Sequence, residues 1–168
     1  MAKKINTEWR NRIISSGTMP ASQFVANPSN WRIHPKAQRE ALSGVLNEVG
    51  WVQNVIVNKI TGNVVDGHAR IEEALKRGDE TPVPYVEVEL TEDEEQKILL
   101  TLDPISAMAA ADKANLDALL KNVETQDAAV MAMIAELANK NGLGDGNDID
   151  ELWQGMPEFI QDDVSALK

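Results

Sequence analysis

The segment Asp66–Arg70 (Asp-Gly-His-Ala-Arg) places an acid, a glycine, an imidazole and a guanidinium side by side. It follows the short apolar stretch Val64-Val65 and leads directly into a helical pattern that begins at Ile71. Glycine lets a ligand approach the backbone closely, and a helix N-terminus presents free N–H groups and a partial positive charge. An arginine in the first helical turn can hold a phosphate or a carboxylate through two parallel hydrogen bonds. The segment is therefore a candidate anion site.

A second segment, Asn30–Pro35 (Asn-Trp-Arg-Ile-His-Pro), lies in a loop before the first well-patterned helix, which is a typical place for binding residues. Two arginines and two histidines around one pocket would suit a polyphosphate better than a neutral ligand. A structural interpretation stays open, in which Gly67 only serves the turn, Asp66 caps the helix and Trp31 packs in the core. The candidate phosphate-binding residues are Gly67, His68, Ala69, Arg70, Arg32, Asn30 and His34.

The elements that must position these residues follow from hydrophobic periodicity and turn signals. A helix is expected from about Ala37 to Val49, and a strand from Val52 to Ile60 turns into Val64-Val65 as a β-hairpin. The helix after the glycine turn should end at Gly78. The proline-containing stretch Pro82–Leu90 is predicted to be an edge strand, because proline cannot donate to a central ladder.

The second half of the chain is predicted to be helical. Thr91 to Glu94 form a capping box that starts a helix running to about Leu102. Two amphipathic patterns, Asp112–Val123 and Asp127–Asn139, are joined by a short connection and predict an antiparallel helical pair.

Composition excludes several classes of function. The 168 residues contain no cysteine and only two histidines, which excludes disulfides, thiolate chemistry and histidine-rich metal centres. No apolar run approaches the roughly 20 residues of a membrane span, and the N-terminus lacks the apolar region of a secretory signal. The net charge of −11 is uneven: residues 1–88 carry 11 basic against 9 acidic groups, and the rest carry 5 against 18. Any DNA contact should therefore come from residues 1–88.

The order of these motifs resembles the ParB N-terminal-like domain, which is shared by partition proteins, sulfiredoxin, free-serine kinases and many phage proteins. The resemblance covers about residues 10–103. Several members of that superfamily bind a nucleoside triphosphate, with the glycine-to-arginine turn around its phosphates. The resemblance implies Gly67, His68 and Arg70 as phosphate contacts and Arg32 as a helper. In the mechanism that we expect, Mg²⁺ bridges the phosphates, and Asp66 either positions that ion or activates a nucleophile. The resemblance is carried by the Asn-Pro-x-Asn-x-Arg loop, Gly50-Trp51, Val55–Val57, Asp66–Arg70 and Val83–Val86.

The chain also departs from the best-known members. His68 stands where sulfiredoxin has its cysteine, which excludes sulfinic-acid reductase activity. Ala69 and Glu72 occupy two arginine positions of the partition proteins, whose downstream Glu-Asn-x-x-Arg motif has no match. In the serine kinases the histidine comes one position later, and their glutamate would have to be Glu40 or Glu48. The sequence looks most like phage proteins described as ParB-like nucleases, which share the segment around Trp153 to Phe159.

These observations predict an α+β fold, a ParB/sulfiredoxin-like small mixed sheet with packed helices, followed by a C-terminal helical pair. The expected domains are residues 1–103, an acidic helical appendage at 104–141, and a linker with a Trp-containing tail at 142–168. The expected function is nucleoside triphosphate binding in a DNA-associated process of a phage or mobile element, in the cytoplasm.

Two alternatives come from other classes of function. One is a metal-dependent DNA nuclease, in which Asp66 and His68 are catalytic. The other is a non-catalytic module that binds a protein partner or itself through residues 104–168. If the protein is an enzyme, we expect an NTPase, a phosphotransferase or a ParB-like nuclease.

Overall fold

A computed structural model describes residues 8–143. The N-terminal lysines, the predicted linker from residue 144 onward and the segment Trp153 to Phe159 lie outside the described residues. The chain divides into two compact units: the first runs up to Arg32 and continues over Trp51–Ala107, and the second comprises Ile33–Gly50 and the chain from Met108. The predicted division into residues 1–103, 104–141 and 142–168 stays a prediction.

The described residues form four strands and five α-helices. The first unit holds all four strands, a short 3₁₀ turn and two helices, and the second unit holds three helices. The elements are β1 Ile13–Pro20, the 3₁₀ turn Ala21–Gln23, α1 Lys36–Glu48, β2 Val55–Asn58, β3 Val64–Asp66, α2 His68–Arg77, β4 Pro82–Val88, α3 Glu92–Ala107, α4 Lys113–Asn122 and α5 Ala128–Lys140.

The first unit is built on a mixed sheet with the strand order β1-β4-β2-β3. β4 pairs antiparallel with β1 and parallel with β2, and β2 pairs antiparallel with β3 through the predicted hairpin. Val55, Val57 and Val64 are buried in these strands, because a half-buried pleated surface favours β-branched side chains. β2 is shorter than the predicted strand Val52–Ile60, and the two residues at the ends of that prediction are exposed. The mixed α+β fold is confirmed. Its core consists of Ala21, Val55, Val57, Val64, Ile71, Ala74 and Val83.

The prediction that Pro82–Leu90 is an edge strand is wrong, since β4 lies inside the sheet between β1 and β2. Its ladder with β2 begins only at Tyr85, opposite Val55. Pro82 and Pro84 precede that ladder, so their missing N–H groups remove no hydrogen bond from it.

Helix α3 begins as predicted and ends later than predicted. The capping box forms, with Thr91 N–H donating to Glu94 Oε2 at 3.0 Å and Glu94 N–H donating to Thr91 Oγ1 at 3.3 Å. The helix then continues past Leu102, through Pro104, to Ala107. Proline removes the N–H that would bond the carbonyl of Leu100. The helix tolerates this loss in its last two turns, which are largely exposed.

The second unit packs α1 against α5, with α4 also against α5. Asp112 and Asp127 cap α4 and α5, and each side chain accepts from two backbone N–H groups. These two helices confirm the predicted C-terminal helical pair, and its antiparallel direction stays a prediction. Gly44 of α1 lies so close to α5 that a Cβ there would collide with the carboxylate of Asp127. None of the described helices is long and apolar enough to cross a membrane.

Candidate phosphate-binding site

The turn between β3 and α2 requires a glycine. Gly67 has φ +103° and ψ 16°, in the left-handed region that residues with a side chain rarely adopt. A Cβ at this position would lie 2.9 Å from Cγ2 of Val55 and 3.2 Å from Nη2 of Arg70. No side chain caps α2 here, so the interpretation of Asp66 as the helix cap is wrong. The first-turn N–H groups, including those of His68 and Ala69, keep the geometry of an anion site.

Asp66 ends β3 and is 8% exposed. Its Oδ2 accepts from Nη2 of Arg70 at 2.7 Å, and its Oδ1 lies 3.9 Å from Nη1 of Arg32. The same nitrogen of Arg32 pairs with Oδ2 of Asp103 on α3. The structure thus brings together Arg32 and Arg70, two predicted phosphate ligands, through an alternating chain of charges: Asp103, Arg32, Asp66 and Arg70. The formal charges of these four groups cancel.

Both arginines retain a buried donor without a partner. The Nε atoms of Arg32 and Arg70 have no hydrogen-bond partner within the described part of the chain. A buried donor left unsatisfied costs about 1–3 kcal/mol, so such groups call for a reason. Nη1 of Arg70 donates to Oε1 of Gln53 at 3.1 Å, which orients the guanidinium. A ligand with acceptor oxygens would therefore bind most favourably beside the two unpartnered Nε donors.

The loop that carries Arg32 is ordered by local hydrogen bonds. The N–H of Asn30 donates to the carbonyl of Asn27 at 3.0 Å, and Oδ1 of Asn30 accepts from the N–H of Arg32 at 3.4 Å. Trp31 donates its indole N–H to the carbonyl of Leu99 at 2.9 Å and is 55% exposed. The interpretation of Trp31 as a core residue is therefore wrong. Its ring lies under the guanidinium of Arg32, 5.9 Å from ring centroid to Cζ, in cation–π range.

His68 is held from the Arg32 loop. Its Nε2 accepts the backbone N–H of Asn27 at 3.2 Å, an arrangement that requires the imidazole to be neutral with its proton on Nδ1. Asn27 also donates its side-chain amide to Oε1 of Glu95 at 2.7 Å. The backbone hydrogen bond fixes the ring and leaves Nδ1 as the ring atom that carries the proton. A catalytic role for Asp66 or His68 stays a prediction.

Glu95 is a buried carboxylate that the sequence did not single out. Its Oε2 accepts from Nδ2 of Asn58 and Oγ1 of Thr61, both at 2.6 Å, in addition to the bond from Asn27. Burial raises the pKa of this carboxyl, and the hydrogen bonds from Thr61, Asn58 and Asn27 together outweigh burial and lower the pKa below its ordinary value. Its position one turn before the buried Leu99 is the signal that could have placed Glu95 on the inner face of α3.

His34 and Glu48 belong to the second unit. Nδ1 of His34 lies 3.2 Å from Oε1 of Gln38, one helical turn further on. The carboxylate of Glu48 accepts from Oγ1 of Thr125 at 2.8 Å and from the N–H groups of Gln126 and Asp127, at 3.0 and 3.2 Å. Glu48 therefore holds the turn that leads into α5, and this role explains it without catalysis. The same unit contains an open groove of about 930 Å³ beside Glu48, lined by Val49, Leu120, Val123, Met131 and Ile134 among others.

Several solved structures resemble the chain. The C-terminally truncated chromosome-partitioning protein ParB from Caulobacter crescentus, complexed with CTP-γ-S, matches with a TM-score of 0.54 and 18% identity over 90% of this chain and 85% of that chain. A Pnob8-like ParB-N domain matches with a TM-score of 0.48 and 17% identity, over 80% of this chain and 52% of that chain. No family model and no curated protein matches the sequence. The chain thus has the ParB N-terminal-like fold.

Proposed function

We propose that the protein binds a nucleoside triphosphate through the turn between β3 and α2, in a process that involves DNA. The observation that carries the proposal is the convergence of Arg32 and Arg70 on the buried carboxylate of Asp66, beside the uncapped N-terminus of α2. Two guanidinium groups and a set of first-turn N–H groups are what a triphosphate needs for binding. The ParB of Caulobacter crescentus, which shares the fold, is described in complex with a nucleotide analogue.

The individual roles follow from geometry. Gly67 supplies the left-handed backbone from which α2 starts, with the N–H groups of His68 and Ala69 in its first turn, and any Cβ at residue 67 would strike Val55. Arg70 contributes its unpartnered Nε from the first turn of α2. Arg32 contributes the second unpartnered Nε, from a loop that Asn30 orders.

A divalent ion would accompany the nucleotide. Mg²⁺ is commonly bound by one or two carboxylates together with substrate phosphates. Asp66 is the carboxylate that would hold it here, although the described residues contain no group of three acids or histidines suited to a metal. The ion would supply positive charge between the phosphates.

Calorimetric titration with CTP, ATP and GTP, with and without Mg²⁺, tests the proposal. Arg70→Ala should weaken nucleotide binding roughly tenfold to a hundredfold, the usual value of one or two charge-assisted hydrogen bonds. Arg10→Ala is the matched control, because it removes the same charge from a side chain that is 81% exposed. The proposal is overturned when wild type binds no nucleotide, or when Arg70→Ala binds as wild type does.

Loss of Arg70 also deprives the buried Asp66 of its closest partner and can weaken the fold itself. Arg70→Lys keeps a positive charge near Asp66 and removes the planar guanidinium with its Nε. Retained thermal stability together with reduced nucleotide affinity in Arg70→Lys would assign the effect to binding. Equal loss of both would assign it to folding and count against the proposal.

The nuclease alternative has less geometric support. Both oxygens of Asp66 face arginines, and Nε2 of His68 already accepts a backbone N–H. Cleavage of supercoiled plasmid that survives purification and disappears in Asp66→Ala would favour the nuclease over nucleotide binding.

Fewer basic side chains of residues 1–88 are available for contact with DNA than the sequence suggests. Arg12 donates to both carboxylate oxygens of Glu94, at 2.8 and 2.6 Å, and to the carbonyl of Glu89. Arg10 lies 3.8 Å from the same carboxylate.

A protein partner is favoured by a separate observation, since the groove beside Glu48 is bordered by the exposed side chains of Val49 and Val123.

A further inference from the structure

Arg32 already has an anion on its guanidinium, the carboxylate of Asp103. We propose that Asp103 is an internal substitute for the ligand: it pairs with Arg32 until a phosphate binds there and displaces it. Asp103 thereby sets the affinity of the site for anions. The inference rests on the proposed function. It concerns Asp103 of α3, which belongs neither to the turn at Gly67 nor to the loop that carries Arg32.

Differences in burial identify which of the two carboxylates beside Arg32, that of Asp103 or that of Asp66, can move. The side chain of Asp103 is 49% exposed, whereas those of Arg32 and Asp66 are 17% and 11% exposed. Asp66 is also held by Arg70 at 2.7 Å. Asp103 can rotate into solvent at little cost, because an exposed carboxylate recovers its hydration. Arg32 and Asp66 would have to leave a buried site.

The hydrogen-bond inventory of Arg32 shows what a phosphate would add. Asp103 and Asp66 both approach Nη1, and Nε remains buried without a partner. A guanidinium binds a phosphate through two parallel N–H donors. The Nε–H and one Nη2–H of a guanidinium are parallel, so a terminal phosphate that engages this pair would satisfy the donor that Asp103 leaves unsatisfied. Its negative charge would then repel Asp103 from Nη1, and both effects favour the exchange.

The position of Asp103 in α3 supports the same assignment. It lies four residues before the helix ends at Ala107, and the last turn contains no basic residue. A carboxylate near a helix C-terminus gains nothing from the helix dipole. Pairing with Arg32 is thus the interaction that holds Asp103 in place, and a stronger anion on Arg32 would release it.

Binding of inorganic tripolyphosphate in EDTA, measured by calorimetry on the full chain, tests the inference. Asp103→Asn should bind tripolyphosphate roughly tenfold more tightly than wild type, because a unit charge within several ångströms of the bound anion is removed. The amide is nearly isosteric, and Arg32 keeps Asp66 as a partner, so the variant should fold. Asp93→Asn is the matched control, since it removes the same charge from the exposed first turn of the same helix.

Tighter binding in Asp103→Asn but not in Asp93→Asn supports the inference. Unchanged affinity in Asp103→Asn, or an equal gain in both variants, overturns it while leaving nucleotide binding by wild type intact. If wild type binds neither tripolyphosphate nor any nucleotide with Mg²⁺, the proposed function fails. The inference survives that failure only when Asp103→Asn gains measurable affinity for tripolyphosphate, and is overturned when it does not.

Discussion

The backbone N–H of Asn27 donates a hydrogen bond to Nε2 of His68, 3.2 Å away. The side chain of the same asparagine donates to Glu95 on α3 at 2.7 Å. One residue thus ties the first residue of α2 to a buried carboxylate that also binds Asn58 and Thr61 in the β-hairpin. The candidate phosphate site is therefore held in place by a polar network as well as by the apolar core.

Replacing Glu95 by glutamine should destabilise the protein. Three donors converge on its two oxygens, and an amide offers one oxygen and places an NH₂ group against at least one of those donors. Leaving buried polar groups unsatisfied in this way should cost about 2–3 kcal/mol of the free energy of unfolding. Urea unfolding followed by circular dichroism measures the loss.

Glu92→Gln is the control for that experiment, because it makes the same change at an exposed position in the first turn of α3. It should change the free energy of unfolding by no more than about 0.5 kcal/mol. Equal effects of the two substitutions would mean that the network around Glu95 contributes nothing specific.

Acid should weaken the fold partly through Glu94. Hydrogen bonds from the side chain of Arg12 and the backbone of Thr91 lower the pKa of Glu94 from 4.5 to about 2. A lowered pKa contributes stability that is complete above pH 4.5 and is lost as the pH falls toward 2. Arg12→Ala should therefore flatten the decline of melting temperature over this window, and Arg12→Lys should have an intermediate effect. A decline as steep in Arg12→Ala as in wild type would contradict this origin.

Much of the fold could be predicted because its signals are local. The capping box at Thr91, the turn at Gly67 and the aspartate caps of α4 and α5 depend on neighbours in the sequence, and all of them fix element ends. The place of β4 inside the sheet could not be predicted in the same way. It depends on which strand pairs with Tyr85 and its successors, a non-local choice that Pro82 and Pro84 do not decide.

The arginines of the candidate site could be named from the sequence, and their role as phosphate ligands stays a prediction. Gly67, Arg70 and Arg32 follow from residue types in two short motifs. Asp66 and Arg70 are four residues apart in the sequence, whereas the pairing of Asp103 with Arg32 depends on how α3 packs, which no spacing in the sequence encodes. Glu95 was missed for a related reason, because an acid in the first turn of a helix is already explained by the helix dipole.

Removal of the Glu48 carboxylate should loosen the start of α5. Glu48 accepts from the side chain of Thr125 and from the N–H groups of Gln126 and Asp127, and these bonds lower the pKa of its carboxyl. In Glu48→Ala the amide of Gln126 loses its acceptor and the amide of Asp127 keeps only Oγ1 of Thr125, so both should exchange with deuterium faster. Glu48→Gln keeps an oxygen acceptor and should show a smaller increase. Unchanged exchange in Glu48→Ala would mean that the hydrogen bonds to Glu48 do not form in solution.

Gly67→Ala and Gly62→Ala together separate backbone strain from contact at the candidate site. Both glycines have positive φ, +103° and +75°, so each alanine should cost about 1–2 kcal/mol of stability through strain alone. A Cβ at Gly62 meets nothing within 4 Å, whereas one at Gly67 lies 2.9 Å from Val55 Cγ2. The clash should add about 1–3 kcal/mol to the loss in Gly67→Ala, and denaturant midpoints measure the difference. Equal losses would mean that β2 gives way, and Gly67 would then be required only for its backbone conformation.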